Sequence, residues 1–186
     1  MSEKKILVAY WSATGNTKKV ADAITEEVEK EGFAYEIKRV TDLKVDEMYR
    51  YSAVFFGAPT YQFLPPRPVL NYLEDLMKYH RDQGDIIPCC PILENHKVVI
   101  FCTHSGPHTG IEEARVAGKY MAQVFKHIRF EVLDEIYVVG EYFNKGDTKQ
   151  LEVNTIGIYG DIRGRPNKED LNEVKRRVSV FLALLR

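Results

Sequence analysis

The sequence predicts a doubly wound α/β fold: a five-stranded parallel sheet in the order 2-1-3-4-5, sandwiched between helices on both faces. Three observations predict it. Residues 6–11 (ILVAYW), 53–58 (AVFFGA) and 98–102 (VVIFC) are almost wholly apolar, and short apolar runs without alternation suit strands buried on both faces of a parallel sheet. Strand-like and helix-like segments alternate along the chain, the pattern of right-handed crossovers. Two further strand candidates, 33–40 (FAYEIKRV) and 131–139 (EVLDEIYVV), are interrupted by charged residues and suit edges. Placing the second and fifth strands at the edges yields the order 2-1-3-4-5.

Each element follows from local pattern. After the first strand, Val20, Ala21, Ile24 and Val28 recur at helical spacing and stop before Gly32, a C-terminal helix signal. The edge strand 33–40 shows Phe33, Tyr35 and Ile37 alternating with polar neighbours, and a short helical link is expected over 45–49 before the third strand. Val69, Leu70, Leu73, Leu76 and Met77 make the stripe of a second long helix. After the fourth strand, Thr109 with Glu112 three residues on has capping-box spacing, and Val116, Tyr120, Met121, Val124 and Ile128 continue as a stripe. The last helix is expected to open after Pro166, with Asn167 as cap and Asp170 at its third position. It runs through Leu171, Val174, Val178, Phe181, Leu182 and Leu185. Two connections, 80–96 and 140–166, exceed the usual length inside a domain and are candidates for function.

At 186 residues a chain buries about 70% of its unfolded surface around one core, so a single domain over 1–186 is expected. A net charge of −1 provides no field to recruit nucleic acid or an anionic membrane. No stretch approaches the roughly 20 apolar residues of a membrane helix. The opening MSEKKILVAYWS is too brief in its apolar part for a signal peptide and reads as a core strand. Three cysteines without regular spacing suit a reduced, cytoplasmic protein. The adjacent Cys89 and Cys90 lack the spaced pattern of a cluster-binding site and read as incidental thiols.

The chemistry is expected where the first strand empties into WSATGNT. In an open α/β sheet a ligand sits beyond the C-terminal strand ends, where connections diverge to opposite faces. Hydroxyls of Ser12, Thr14 and Thr17, the Asn16 amide and the first N–H groups of the next helix suit a phosphate, with Gly15 permitting a close turn. A Walker A loop fails because Gly15 is followed by Asn16, and no GxGxxG occupies this turn. A receiver domain needs an aspartate near the end of its third strand, where this chain reads FFGAP.

YWSATGNT resembles the FMN phosphate loop of flavodoxins, Thr/Ser-x-Thr-Gly-x-Thr, with Ser12, Thr14, Gly15 and Thr17 matching. YSAVFFGAPTYQF and VVIFCTHSGPHTG are similar to the second and third flavin loops, and GRPNKEDL resembles the family's C-terminal region. The resemblance implies FMN as cofactor. It places Trp11, Ser12, Ala13, Thr14, Gly15, Asn16 and Thr17 at the phosphate, without a lysine. Pro59, Thr60, Tyr61, Gln62 and Phe63 would flank the ring system, with Tyr61 or Phe63 against its face. Thr103, His104, Ser105 and Gly106 would form the other wall.

The implied function is electron carriage through FMN, with a redox protein or a small acceptor as partner. A near-neutral charge, unlike the acidic surface typical of flavodoxin carriers, keeps an NAD(P)H-dependent quinone oxidoreductase of the same superfamily as the alternative. A flavin-less interaction domain is a third. His104 and His108 stand in the third loop where many flavodoxins have a tyrosine. Both read as solvated loop histidines, with proton transfer beside a flavin the functional reading of His104. Arg163 and Arg165 suit a nucleotide phosphate or a solvated turn. Tyr137, Tyr142, Phe143 and Tyr159 border the second long connection and read as packing it onto the sheet, with a cover for the flavin or an oligomer contact as the alternatives.

Overall fold

The computed structural model describes residues 5–89 and 91–186. Residues 1–4 and Cys90, and the expectations that fall on them, lie outside the described residues. The sheet is parallel throughout and has the expected order 2-1-3-4-5. Its strands are β1 (Lys5–Tyr10), β2 (Ala34–Arg39), β3 (Ala53–Pro59), β4 (Lys97–His104) and β5 (Glu131–Val139). The apolar runs occupy the three central strands, and Ile6, Leu7, Val54, Phe55, Phe56 and Ile100 are wholly buried. Removing each such side chain from water contributes about 1.5–3 kcal/mol.

Helices α1 (Asn16–Lys30) and α5 (Lys168–Ala183) cover one face, and α2 (Arg67–Asp82) and α3 (Glu112–His127) the other. A short helix, α4 (Gln150–Thr155), lies in the second long connection, and 3₁₀ turns at Val40–Asp42 and Val45–Arg50 link β2 to β3. The pleat divides the core. Ile6, Val8 and Phe55 face α1 and α5, whereas Leu7, Val54 and Phe56 face α2 and α3.

The edge strand β5 shows why its pattern is broken by charge. A bulge skips Leu133, so that Val98 pairs with Val132 and Val99 with Asp134. Asp134 accepts three hydrogen bonds from Arg177 of α5, one from Nε at 3.0 Å and two from Nη2 at 2.6 Å, and Glu135 accepts from Tyr137 Oη at 2.6 Å. The last helix is capped as expected. Asn167 Oδ1 accepts from the N–H groups of Glu169 and Asp170, and Asp170 Oδ2 accepts from the Asn167 N–H.

Helix α3 departs from expectation. It begins at Glu112, not at Thr109, and Glu113 rather than Glu112 reaches back, its Oε1 accepting from the N–H groups of His108 and Thr109 at 2.7 Å. Val116 and Tyr120 are exposed, and the buried stripe is Ala114, Ala117, Gly118, Met121, Ala122, Val124 and Phe125. Small residues let α3 sit close to the sheet: a Cβ on Gly118 would lie 2.2 Å from the Tyr137 hydroxyl oxygen.

The two long connections lie at opposite ends of the sheet. The first begins inside α2 and is held near the N-terminal end of β4. His80 Nδ1 lies 2.7 Å from Asp85, His96 Nε2 lies 3.1 Å from the Tyr49 carbonyl oxygen, and the Leu93 N–H donates to the Arg129 carbonyl. None of its described residues lines the cavity at the C-terminal strand ends. The second connection folds back over those ends.

Candidate functional site

At the C-terminal strand ends lies a cavity of about 670 Å³. All the expected site residues line it except Trp11 and Gly15. Those two shape the wall from behind. The Trp11 N–H donates to the Gly57 carbonyl at 3.0 Å and its ring meets Tyr61 edge-on, with centroids 5.8 Å apart. Gly15 is the N-cap of α1 at φ +101°, where its N–H donates to Ser12 Oγ at 3.1 Å and its carbonyl accepts from the Lys19 N–H. That φ belongs to glycine, because a Cβ there strains the backbone.

Not every polar group of the first loop is free for a ligand. The Asn16 amide donates to the Glu141 carbonyl at 2.7 Å, fastening the second long connection to the start of α1. The buried Thr17 hydroxyl pairs with the Thr103 hydroxyl at 2.8 Å, tying the first loop to the end of β4. Ala13 and Thr14 are exposed, and no acidic residue stands in the first turn of α1. The positive end of the helix is therefore not neutralised from within.

The second loop is a tight reversal. The N–H groups of Tyr61 and Leu64 each donate to the other's carbonyl, at 2.8 and 3.1 Å. Gln62 and Phe63 at its centre both have positive φ, +48° and +71°. This is the geometry of a type I′ turn, which favours Asn and Gly rather than Gln and Phe. The strain presents exposed Tyr61 and Phe63 rings at the cavity rim.

Thr103 and His104 belong to β4, not to a loop, and His104 is buried at 5% exposure rather than solvated. Its Nδ1 is buried without a hydrogen-bond partner, and its ring meets Tyr159 at 5.9 Å. Burial pushes the imidazole pKa down to about 4; Glu113 opposes that shift and Arg165 adds to it. His104 is thus neutral in the fold until about pH 4, whereas the unfolded chain protonates it near 6.5. Between these values the unfolded state binds more protons, so stability falls as pH drops from about 6.5 to 4, by up to about 3 kcal/mol. His104→Gln is expected to remove this part of the acid sensitivity; urea midpoints measured between pH 4 and 7 that fall equally in both proteins would refute it. His108, by contrast, is exposed, as expected.

The second long connection supplies a fourth wall. Gly140, Glu141, Tyr142, Phe143, Asn144 and Val153 line the cavity, so Tyr142 and Phe143 do more than pack a loop. Buried Asn154 holds this segment. Its Oδ1 accepts from the Tyr142 N–H at 2.8 Å, and its Nδ2 donates to the Tyr142 carbonyl at 3.0 Å. The other two aromatics of the cluster stand elsewhere: Tyr159 covers Gly110 and His104, and Tyr137 covers Gly118.

Arg163 and Arg165 are occupied by Asp161 and Asp170. Cys102 is fully buried, its thiol pushed up to about 12 by burial, so it is not a reactive thiolate. Among the described residues no group of His, Cys, Asp and Glu forms a metal cluster, and no helix is long and apolar enough to cross a membrane.

Comparison with known proteins agrees with this fold. A family model described as a flavodoxin domain matches residues 7–130. No curated protein matches the sequence. Among solved structures, the chain is similar to oxidised flavodoxin 1 from Bacillus cereus, with TM-score 0.69 and 16% identity over 98% of this chain and 100% of that one. It is also similar to a flavodoxin from the domain Archaea, with TM-score 0.62 and 18% identity over 97% and 98% of the two chains. The flavodiiron core of Flv1 from Synechocystis sp. PCC6803 matches with TM-score 0.63 and 17% identity, over 98% of this chain but 36% of that one. At these identities the structural likeness shows the fold, and the family model extends over most of the chain. The chain belongs to the flavodoxin family.

Proposed function

We propose that the protein holds FMN in this cavity and carries electrons between redox partners, acting as one cytoplasmic domain over residues 1–186. The observation that supports this reading is the convergence of three separate segments at the C-terminal strand ends, 12–17, 59–63 and 103–106, on one cavity. The residues present fit the cofactor. The first loop offers hydroxyls and the unneutralised start of α1 to a phosphate. Tyr61 and Phe63 offer apolar faces to a planar ring system. The wall formed by Thr103, His104, Ser105 and Gly106 contains an unpartnered buried nitrogen.

FMN when bound supplies the redox chemistry; the chain positions it, excludes water and sets which partners reach it. In this reading Ser12 and Thr14 face the phosphate. Asn16 and Thr17 act one step back, by fastening Glu141 and Thr103 around the cofactor. The strained turn makes this testable. Phe63→Gly is expected to raise stability by about 0.5–1 kcal/mol by relieving positive φ, yet to weaken FMN binding by removing an aromatic wall. Thermal unfolding and FMN fluorescence quenching read the two effects separately, and an unchanged FMN affinity would remove Phe63 from the site.

The experiment that tests the function is FMN titration of the apoprotein, followed by anaerobic reduction with NADPH, NADH and dithionite. Tight FMN binding, with bleaching by dithionite but not by either nucleotide, supports a carrier reduced by a protein partner. Rapid bleaching by a nicotinamide nucleotide replaces that reading with an NAD(P)H-dependent oxidoreductase. No FMN binding overturns both.

A further inference from the structure

We infer that Arg39 adds a positive charge to phosphate recognition at the first loop, so that the chain discriminates FMN from riboflavin by charge as well as by neutral donors. This rests on the FMN reading above, and it departs from the expectation that Ser12 to Thr17 act alone.

Arg39 is the last residue of β2 and is in register with Tyr10, the last residue of β1 before the loop. Tyr35, Ile37 and Arg39 alternate onto one face, and Tyr35 packs into the core that α1 covers. The Arg39 side chain accordingly stands beside the loop that leads into α1. Its Nη2 donates to the Ser12 carbonyl in a long contact of 3.5 Å, and Ser12 lines the cavity.

Two charge observations converge there. Among the described residues no carboxylate pairs with Arg39, which is exposed. The first turn of α1 has no acidic residue, and the helix has no side-chain cap. A guanidinium beside the positive end of a helix is repelled by it, and an anion placed between them relieves that repulsion. The same cavity is also lined by His104, whose buried Nδ1 has no hydrogen-bond partner. A phosphate monoester carries about two negative charges at neutral pH. A guanidinium fork suits its oxygens in a way that a carbonyl at 3.5 Å does not.

The test compares FMN and riboflavin on the wild-type protein, Arg39→Gln and Arg39→Lys, by fluorescence quenching at low and high salt. Arg39→Gln is expected to weaken FMN binding about tenfold at low salt and to leave riboflavin affinity unchanged. Arg39→Lys should keep most of the FMN affinity. Raising salt should weaken FMN binding to the wild type more steeply than to Arg39→Gln, because screening acts on the charge pair that the variant lacks.

An equal loss for FMN and riboflavin would mean that Arg39 merely shapes the loop, and overturns the inference. Wild-type preference for FMN that is unchanged in Arg39→Gln overturns the inference while leaving the FMN reading intact. A wild-type protein that binds neither flavin overturns both.

Discussion

Gly57→Ala is expected to destabilise the protein by about 1–3 kcal/mol, and Gly57→Val by more. Gly57 sits in β3 directly across from Phe101 of β4. A Cβ on Gly57 would lie 2.1 Å from the Phe101 ring, far inside contact distance, and that ring is wholly buried. The aromatic side chain fills the space that a side chain at position 57 would take. With strands on both sides and helices above, neither strand nor ring has room to retreat, and close-packed interiors convert such overlap into off-rotamer strain.

In a chain of this length, 1 kcal/mol moves the thermal midpoint by about 2–4 °C, so a fall of about 2–12 °C is expected for the alanine variant. Shrinking the ring supplies the decisive control. Phe101→Leu alone should destabilise by leaving a cavity, but combined with Gly57→Ala it should cost less than the sum of the two. Simple additivity in that cycle would show that the two positions do not compete for space.

Gly15→Val is expected to abolish FMN binding while leaving the sheet intact. Here the problem is conformation, not room: nothing lies within 4 Å of a Cβ at position 15, but the backbone has φ +101°. A β-branched residue in that region costs of the order of 1–3 kcal/mol. The loop can escape the cost by rotating, because it is partly exposed. Rotation would break the contact from the Gly15 N–H to Ser12 Oγ and turn the first N–H groups of α1 away from the cavity. Circular dichroism should therefore stay native while FMN quenching disappears. Retention of normal FMN affinity would place the phosphate somewhere other than this loop.

The two glycines also show what is readable in one dimension. Gly15 could be singled out because it stands between a strand pattern and a helix pattern in a run of hydroxyl and amide residues, all within one heptapeptide. Gly57 looked like any small residue in an apolar strand. Its importance comes from Phe101, 44 positions further on, and is set by the register of β3 and β4.

The same division runs through the molecule. The five strands, the four long helices and the capped start of α5 were legible because each depends on apolar period or on a cap within a few residues. The sheet order followed from which strands are charged and which are not. The first cavity segment was legible because topology puts ligands at the C-terminal ends of parallel strands, and the other two through their resemblance to flavodoxin loops. The misplaced start of α3 shows the limit even of local signals: Thr109 and Glu112 have capping-box spacing, but Glu113 makes the bonds because the chain turns once more before the helix begins.

What the sequence by itself determined was the doubly wound sheet and the loop that opens α1, since both are encoded in short-range pattern and in the burial each strand requires. Tertiary structure alone decided the burial of His104, the return of residues 140–144 as a fourth wall, and the placement of Arg39 against Ser12. Asn16 meets Glu141 across 125 positions, and Thr17 meets Thr103 across 86. Hydrogen bonds over such separations leave no periodic trace in sequence, because their geometry exists only once the strands have chosen their neighbours.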